Sequence, residues 1–145
     1  MTKIFCDIAD LKQIKKFHKK KIVKGFTTNP SLMRKAGAKD YTKYCKNILK
    51  ITNKPISFEV FADEKKNIIR QALKIKSWGN QIYVKIPVTN SKGRYLGDVI
   101  NYLNNNNIKL NITAVYTANQ TKKILKSINK KTKVIISIFA GRMAD

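Results

Sequence analysis

The sequence predicts an α/β fold built on a parallel, barrel-type sheet. Three observations carry that prediction. Short apolar runs alternate with amphipathic helical stretches along all 145 residues. The connections are short, so each helix serves as the crossover between parallel strands. The strands also repeat one pattern, apolar at even-numbered positions and polar at odd-numbered ones.

The elements follow in order. Strand 1 is expected at about 3–8, and Asp10 is placed to cap a helix reaching about Lys20. Strand 2 covers about 23–28 and is ended by Asn29-Pro30. A helical region follows, broken at Gly37 and resuming over Tyr41–Ile51. Strand 3 is expected at 56–61. The next helix begins near Asp63 and should bury Ile68, Ile69, Ala72, Leu73 and Ile75. Strand 4 is the run around Lys85, and a helix at about 97–103 follows it. Strand 5 covers 110–116. Thr117 and Gln120 have the spacing of a capping box opening a helix to about Ile128. Strand 6 covers 134–139, giving six strands and five crossovers in one domain, 1–145.

The strand pattern separates a barrel from an open sheet. Ile4, Cys6 and Ile8 flank Asp7. Ile56, Phe58 and Val60 flank Ser57 and Glu59. Leu110, Ile112 and Ala114 flank Asn111 and Thr113, and Val134, Ile136 and Ile138 flank Ser137. An open sheet covered by helices on both faces has near-continuous apolar strands. One apolar face packed on helices, with the other turned to a shared interior, is the barrel arrangement, and its active sites lie at the strands' C-terminal ends.

Composition narrows the function classes. The 43% apolar share is enough for a core. No run of about 18 apolar residues is present to span a membrane, and the N-terminus lacks the pattern of a secretory signal. Cys6 and Cys45 are too few for a metal site or a disulfide framework. A reduced, cytoplasmic setting fits. The net charge of +23 raises the question of a nucleic-acid partner. Only four of the 31 basic residues are Arg (Arg34, Arg70, Arg94, Arg142), and the Lys are spread over every expected helix. Lys, Asn and Ile are abundant together, as in the tract Asn104-Asn105-Asn106-Asn107, which suggests residue bias. Non-specific polyanion affinity at low salt is expected, and specific nucleic-acid recognition is not.

Lys85 is the most informative residue. In Gln81-Ile82-Tyr83-Val84-Lys85-Ile86-Pro87-Val88-Thr89, the residues Ile82, Val84, Ile86 and Val88 share one face, and Lys85 shares the other with Tyr83 and Pro87. On a solvated face such a lysine means little. Lifted from water, its charged form is disfavoured, and the free amine can act as a Schiff-base nucleophile. The interior face would gather it with Asp7, Glu59, Asn111, Thr113 and Ser137: one amine, two carboxylates and neutral hydrogen-bonding groups. The single histidine, His18, lies in a Lys-rich helix and is expected to be solvated. Ser-His and Cys-His catalysis and phosphate-cradling glycine motifs have no residues to build them. Amine and carboxylates together suit carbonyl chemistry through an imine.

Six segments make the chain recognisable: Ile4-Phe5-Cys6-Asp7, Gly25-Phe26-Thr27-Thr28-Asn29-Pro30-Ser31, Phe58-Glu59-Val60, Val84-Lys85-Ile86-Pro87-Val88-Thr89, Leu110-Asn111-Ile112-Thr113-Ala114-Val115 and Ser137-Ile138-Phe139-Ala140-Gly141-Arg142. In this order they resemble the transaldolase family, in the small-subunit branch that also holds fructose-6-phosphate aldolases. The resemblance implies a (β/α)8 TIM barrel with the Schiff-base lysine on strand 4, where Lys85 falls. It implies that Lys85 attacks the C2 carbonyl of a ketose phosphate. Asp7 then deprotonates the C4 hydroxyl, and Glu59 with Thr113 holds the relaying water. Asn29, Asn111 and Ser137 would hold the dihydroxyacetone fragment, and Arg142 the sugar phosphate. Thr27, Thr28 and Ser31 are local scaffold, with Thr28 the one carried as a substrate contact.

The family's transaldolases carry Glu on strand 3 and Phe on strand 6, where its aldolases have Gln and Tyr; here Glu59 and Phe139 stand in those places. The resemblance thus implies a pentose phosphate pathway transferase for fructose 6-phosphate or sedoheptulose 7-phosphate. It implies no cofactor, no metal, sugar-phosphate partners and homo-oligomers, without membrane association. Family members continue for two further β-α units beyond the position of Asp145, so the barrel is expected to be incomplete here. The alternatives are a class I aldolase of the fructose-6-phosphate type, an inactive truncated homologue and, ranked last, a basic nucleic-acid binder.

Overall fold

The computed structural model describes residues 1–142. The elements run β1 (Ile4–Asp7), α1 (Leu11–His18), β2 (Val23–Thr27), α2 (Pro30–Lys35), α3 (Tyr41–Ile51), β3 (Ile56–Glu59), α4 (Lys65–Lys76), β4 (Ile82–Pro87), α5 (Gly97–Asn105), β5 (Leu110–Val115), α6 (Ala118–Ser127), β6 (Val134–Ile138) and a 3-10 turn, Ala140–Arg142. The strand order is sequential, β1 to β6, and the described ladders are parallel. Six parallel strands alternating with helices make an incomplete TIM-barrel-like α/β fold, as the sequence predicts.

Side-chain caps set the helix starts. Asp10 and Asp40 each accept from the amide three residues on, at 2.8 Å, opening α1 and α3. Asn29 does the same for Leu32, with Pro30 supplying the preset φ of a first helical residue. Thr117 and Gln120 form the expected capping box. Gly37, at φ +88°, separates α2 from α3 as expected. At the other end of α5, Asn107 takes φ +59°, and the Ile108 amide donates back to the Leu103 carbonyl at 3.1 Å. This is the left-handed stop that Asn tolerates.

The chain forms two compact units. The first holds Met1–Glu59 and Ser77–Ile82. Its core is Ile14, Phe26, Met33, Cys45, Ile48, Ile56 and Phe58, all fully buried or nearly so. Trp78 packs edge-on to Phe58 at 6.3 Å. Gly25 lets β2 pass close to its surroundings: a Cβ there would lie against the Phe5 ring and 2.7 Å from the Pro55 carbonyl oxygen. His18 departs from expectation. It is half-buried, and its Nδ1 lies 2.9 Å from the buried Thr52 hydroxyl, because α1 packs on α3 and brings the ring to the C-terminal end of α3.

The second unit holds Val60–Lys76 and the chain from Tyr83 onward. Its core gathers Ile68, Ala72, Ile75, Val84, Ile86, Leu96, Ile100, Leu103, Leu110, Ile112 and Ile124. On α4 the expectation fails at Leu73, which is 44% exposed, while Ile69 is half-buried. The helix contributes a narrow stripe at Ile68, Ala72 and Ile75, and Leu73 falls off it. The even-position rule also fails at the edge strands, where Ile4 and Ile138 are exposed. β1 and β6 have one ladder neighbour each, so half of the cover available to a central strand is missing. β3 stops at Glu59, two residues earlier than expected.

The loop after β4 is tied by its own bonds. The Asp63 carboxylate accepts from the Ser91 amide at 2.7 Å and the Ser91 hydroxyl at 2.8 Å. Asn90 Oδ1 accepts from the amides of Lys92 and Arg94. Thr89 and Tyr95 form an antiparallel bridge, and the Leu96 amide returns to the Val88 carbonyl at 3.0 Å.

Candidate functional site

The polar positions of the pattern carry the chemistry-bearing residues: Asp7 and Glu59 end β1 and β3, while Lys85, Asn111, Thr113 and Ser137 lie within β4, β5 and β6. In the second unit Lys85 is only 7% exposed, on the face of β4 opposite Val84 and Ile86. The parallel register sets Lys85 beside Asn111 and Pro87 beside Thr113. Asn111 is fully buried, and its Oδ1 accepts from the Ser137 hydroxyl at 2.6 Å. The Thr113 hydroxyl is buried and has no hydrogen-bond partner among the described residues. Lys85, Asn111, Thr113 and Ser137 are thus brought together on three adjacent strands by register, and the Ser137–Asn111 bond ties two of them directly.

A local irregularity adjoins this group. Between Ile112 and Val115 the β5–β6 register shifts, and Ala114 takes φ +57°. A bulge of this kind re-aims the side chains beside it. Phe139, following β6, donates its amide to the Val115 carbonyl at 3.0 Å, and its ring lies edge-on to Tyr116 at 5.7 Å. Arg142 ends the last turn, and its side chain lies outside the described residues.

In the first unit Asp7 is exposed at the end of β1 and accepts from the Thr27 hydroxyl at 2.7 Å. It lines a cleft of about 270 Å³ with Asp10, Gln13, Leu32 and Lys35. Thr28 is fully buried, and its hydroxyl donates to the Ser57 carbonyl at 2.7 Å. Asn29 is the cap of α2. Ser31 accepts from Arg34 within the same helix. Glu59 closes β3, where the Tyr41 hydroxyl holds its backbone.

Two residues at the site escape sequence reading. Tyr41 looks like one more position of an amphipathic helix, and only the fold sets its hydroxyl at Glu59. The conformation of Ala114 has no signal, because strand pattern and propensity both treat it as an ordinary residue.

No described helix is long and apolar enough to cross a membrane. Among the described residues no group of three or more His, Cys, Asp or Glu could hold a metal ion.

Comparison with known proteins adds identity to this geometry. A protein named probable transaldolase from Methanococcus maripaludis strain C5 is 34% identical over 143 residues, covering 99% of this chain and 62% of its own length. A probable transaldolase from Thermoanaerobacter sp. strain X514 has the same identity and coverage. One from Thermoplasma volcanium is 35% identical over 145 residues, again 99% of this chain and 61% of its own. The chain therefore spans about three-fifths of the length of these curated relatives. The family described as Transaldolase/Fructose-6-phosphate aldolase matches residues 4–145, nearly all of the sequence, and the chain belongs to that family.

Proposed function

We propose that the chain carries the Schiff-base half of a transaldolase reaction, transferring a dihydroxyacetone unit from a ketose phosphate to an aldose phosphate. The observation that carries this reading is Lys85, a residue more than nine-tenths buried on the polar face of β4, in register with an Asn111 already oriented by Ser137. A lysine withdrawn from water with neutral hydrogen-bonding groups beside it suits attack on a carbonyl.

The steps are those that the resemblance to the family implies for these residues. The Lys85 nitrogen adds to the C2 carbonyl of fructose 6-phosphate or sedoheptulose 7-phosphate, and water leaves as the imine forms. Asp7 takes the C4 hydroxyl proton while the C3–C4 bond breaks, releasing an aldose phosphate. The electron pair of that bond stays on the lysine-bound fragment as an enamine. Asn29, Asn111 and Ser137 bind the fragment's hydroxyls, and Thr28 supports them from its place beside Asn29. The buried, unpartnered Thr113 hydroxyl suits a water held with Glu59 for proton relay. Arg142 binds the phosphate. Phe139 has no hydroxyl to position a hydrolytic water, so the fragment waits for an acceptor sugar, which favours transferase over aldolase. Such an enzyme serves the pentose phosphate pathway in the cytoplasm, as a homo-oligomer and without a cofactor.

Borohydride reduction in the presence of fructose 6-phosphate tests the reading. The chain should gain covalent mass at Lys85, and Lys85→Met should gain none. Equal labelling of both proteins would overturn it. In the absence of borohydride, release of the three-carbon fragment only when an aldose phosphate is added separates transferase from aldolase.

A further inference from the structure

We propose that the outer face of α1 docks the phosphate backbone of duplex nucleic acid without regard to sequence. Lys12, Lys15, Lys16 and Lys19 recur at the spacing that places them on one face, and all four are exposed while Ile14 is buried on the opposite side. With Lys20 they line a shallow concavity of about 540 Å³, to which no other described residue contributes. A neighbouring hollow of about 440 Å³ shares Lys12, Lys15 and Lys19 and extends the basic surface to Lys50 on α3.

Local stability does not account for this face. The helix macrodipole favours the cations of the last turn, but Lys12 stands in the first turn, which has no acidic residue. Lys12 with Lys16, and Lys15 with Lys19, are like charges four apart, a spacing that destabilises a helix. The Asp10 carboxylate is engaged in its cap, and among the described residues no carboxylate pairs with any of the five lysines. Lys16 merely lies 6.0 Å over the neighbouring Phe17 ring.

The chemistry selects the occupant. A row of point charges with no guanidinium fork neutralises phosphates and reads no bases. Lys12 to Lys19 spans about 10.5 Å of helix axis, comparable with about three phosphates of one strand. Ile14 is buried and Leu11 and Phe17 are half-buried, so α1 offers no fully exposed apolar residue to insert into a bilayer. This inference is independent of the Schiff-base reading, because it concerns α1 and not the ends of the strands.

The test uses the whole chain and unrelated duplexes of about 20 base pairs, with affinity measured by fluorescence anisotropy across a salt series. Lys12, Lys15, Lys16 and Lys19→Gln keeps helix propensity and removes four charges. Lys66, Lys76, Lys122 and Lys126→Gln removes four exposed charges elsewhere. The α1 variant should bind at least about tenfold more weakly at low salt, and its log–log salt slope should flatten by about 3; the control slope should change by less than about 1. If circular dichroism shows the fourfold variant unfolded, K12Q/K16Q should give about half the slope change. Equal effects of the two fourfold variants would show delocalised charge and overturn the proposal. So would an unbound wild-type chain at low salt, or stripe-dependent binding to anionic vesicles that exceeds binding to duplex.

Discussion

The Tyr41 hydroxyl bridges both backbone polar groups of Glu59, donating to its carbonyl at 2.8 Å and accepting from its amide at 2.9 Å. β3 ends at Glu59, so these groups have reached the limit of the ladder, and a side chain from α3 completes them. Burial pushes the Tyr41 phenol well above its ordinary value, which keeps it a neutral donor at any physiological pH.

Tyr41→Phe keeps the ring and removes the bridge. It should lower unfolding free energy by about 1–3 kcal/mol, the net worth of two hydrogen bonds to a half-buried backbone. A urea midpoint equal to that of the parent would refute the bridge's role. If Glu59 acts as proposed, the same variant should lower kcat more than it raises KM.

The thiol of Cys45 makes alkaline pH destabilising. Burial is the largest cause that pushes it from 9.0 up to about 12. Between those values the unfolded chain has lost this proton and the folded chain retains it, so the folded state binds more protons and stability falls as pH rises. Below pH 9 the contribution is complete. Cys45→Ala should remove a slope of up to about 1.4 kcal/mol per pH unit over that window. Chemical denaturation at about pH 8 and pH 10 reads the difference, and parallel slopes in both proteins would count against it.

Ala114 reverses the usual strand preference. Valine is the better strand former, but a β-branched residue at φ +57° is strained. Ala114→Val should cost more than about 1 kcal/mol, and Ala114→Gly should be neutral or stabilising by up to about 1 kcal/mol. Thermal melts of the two variants decide it, and a Val variant as stable as the parent would show that the bulge can relax.

Ser137→Ala removes one bond to the buried Asn111. The stability loss should be about 1 kcal/mol. If Asn111 orients the sugar fragment, KM for the ketose phosphate should rise while borohydride trapping on Lys85 persists. Loss of trapping with KM unchanged would assign Ser137 to chemistry instead.

Much of this was legible in sequence, for physical reasons. Caps act within three residues, so Asp10 and the Thr117–Gln120 box announce α1 and α6 directly. A strand pattern of period two sets Lys85, Asn111 and Thr113 on one kind of position, and all three are buried. The misreadings involve contacts distant in sequence or missing neighbours. His18 meets Thr52 across 34 positions, and Tyr41 meets Glu59 across 18. Ile4 and Ile138 are apolar yet exposed because each belongs to an edge strand, which no periodicity reveals.

The Asp63–Ser91 clamp and the Thr89–Tyr95 bridge give the segment behind β4 a fixed shape before any visitor arrives. If a sugar phosphate binds beside β4 as proposed, less of its binding energy would go into ordering this segment.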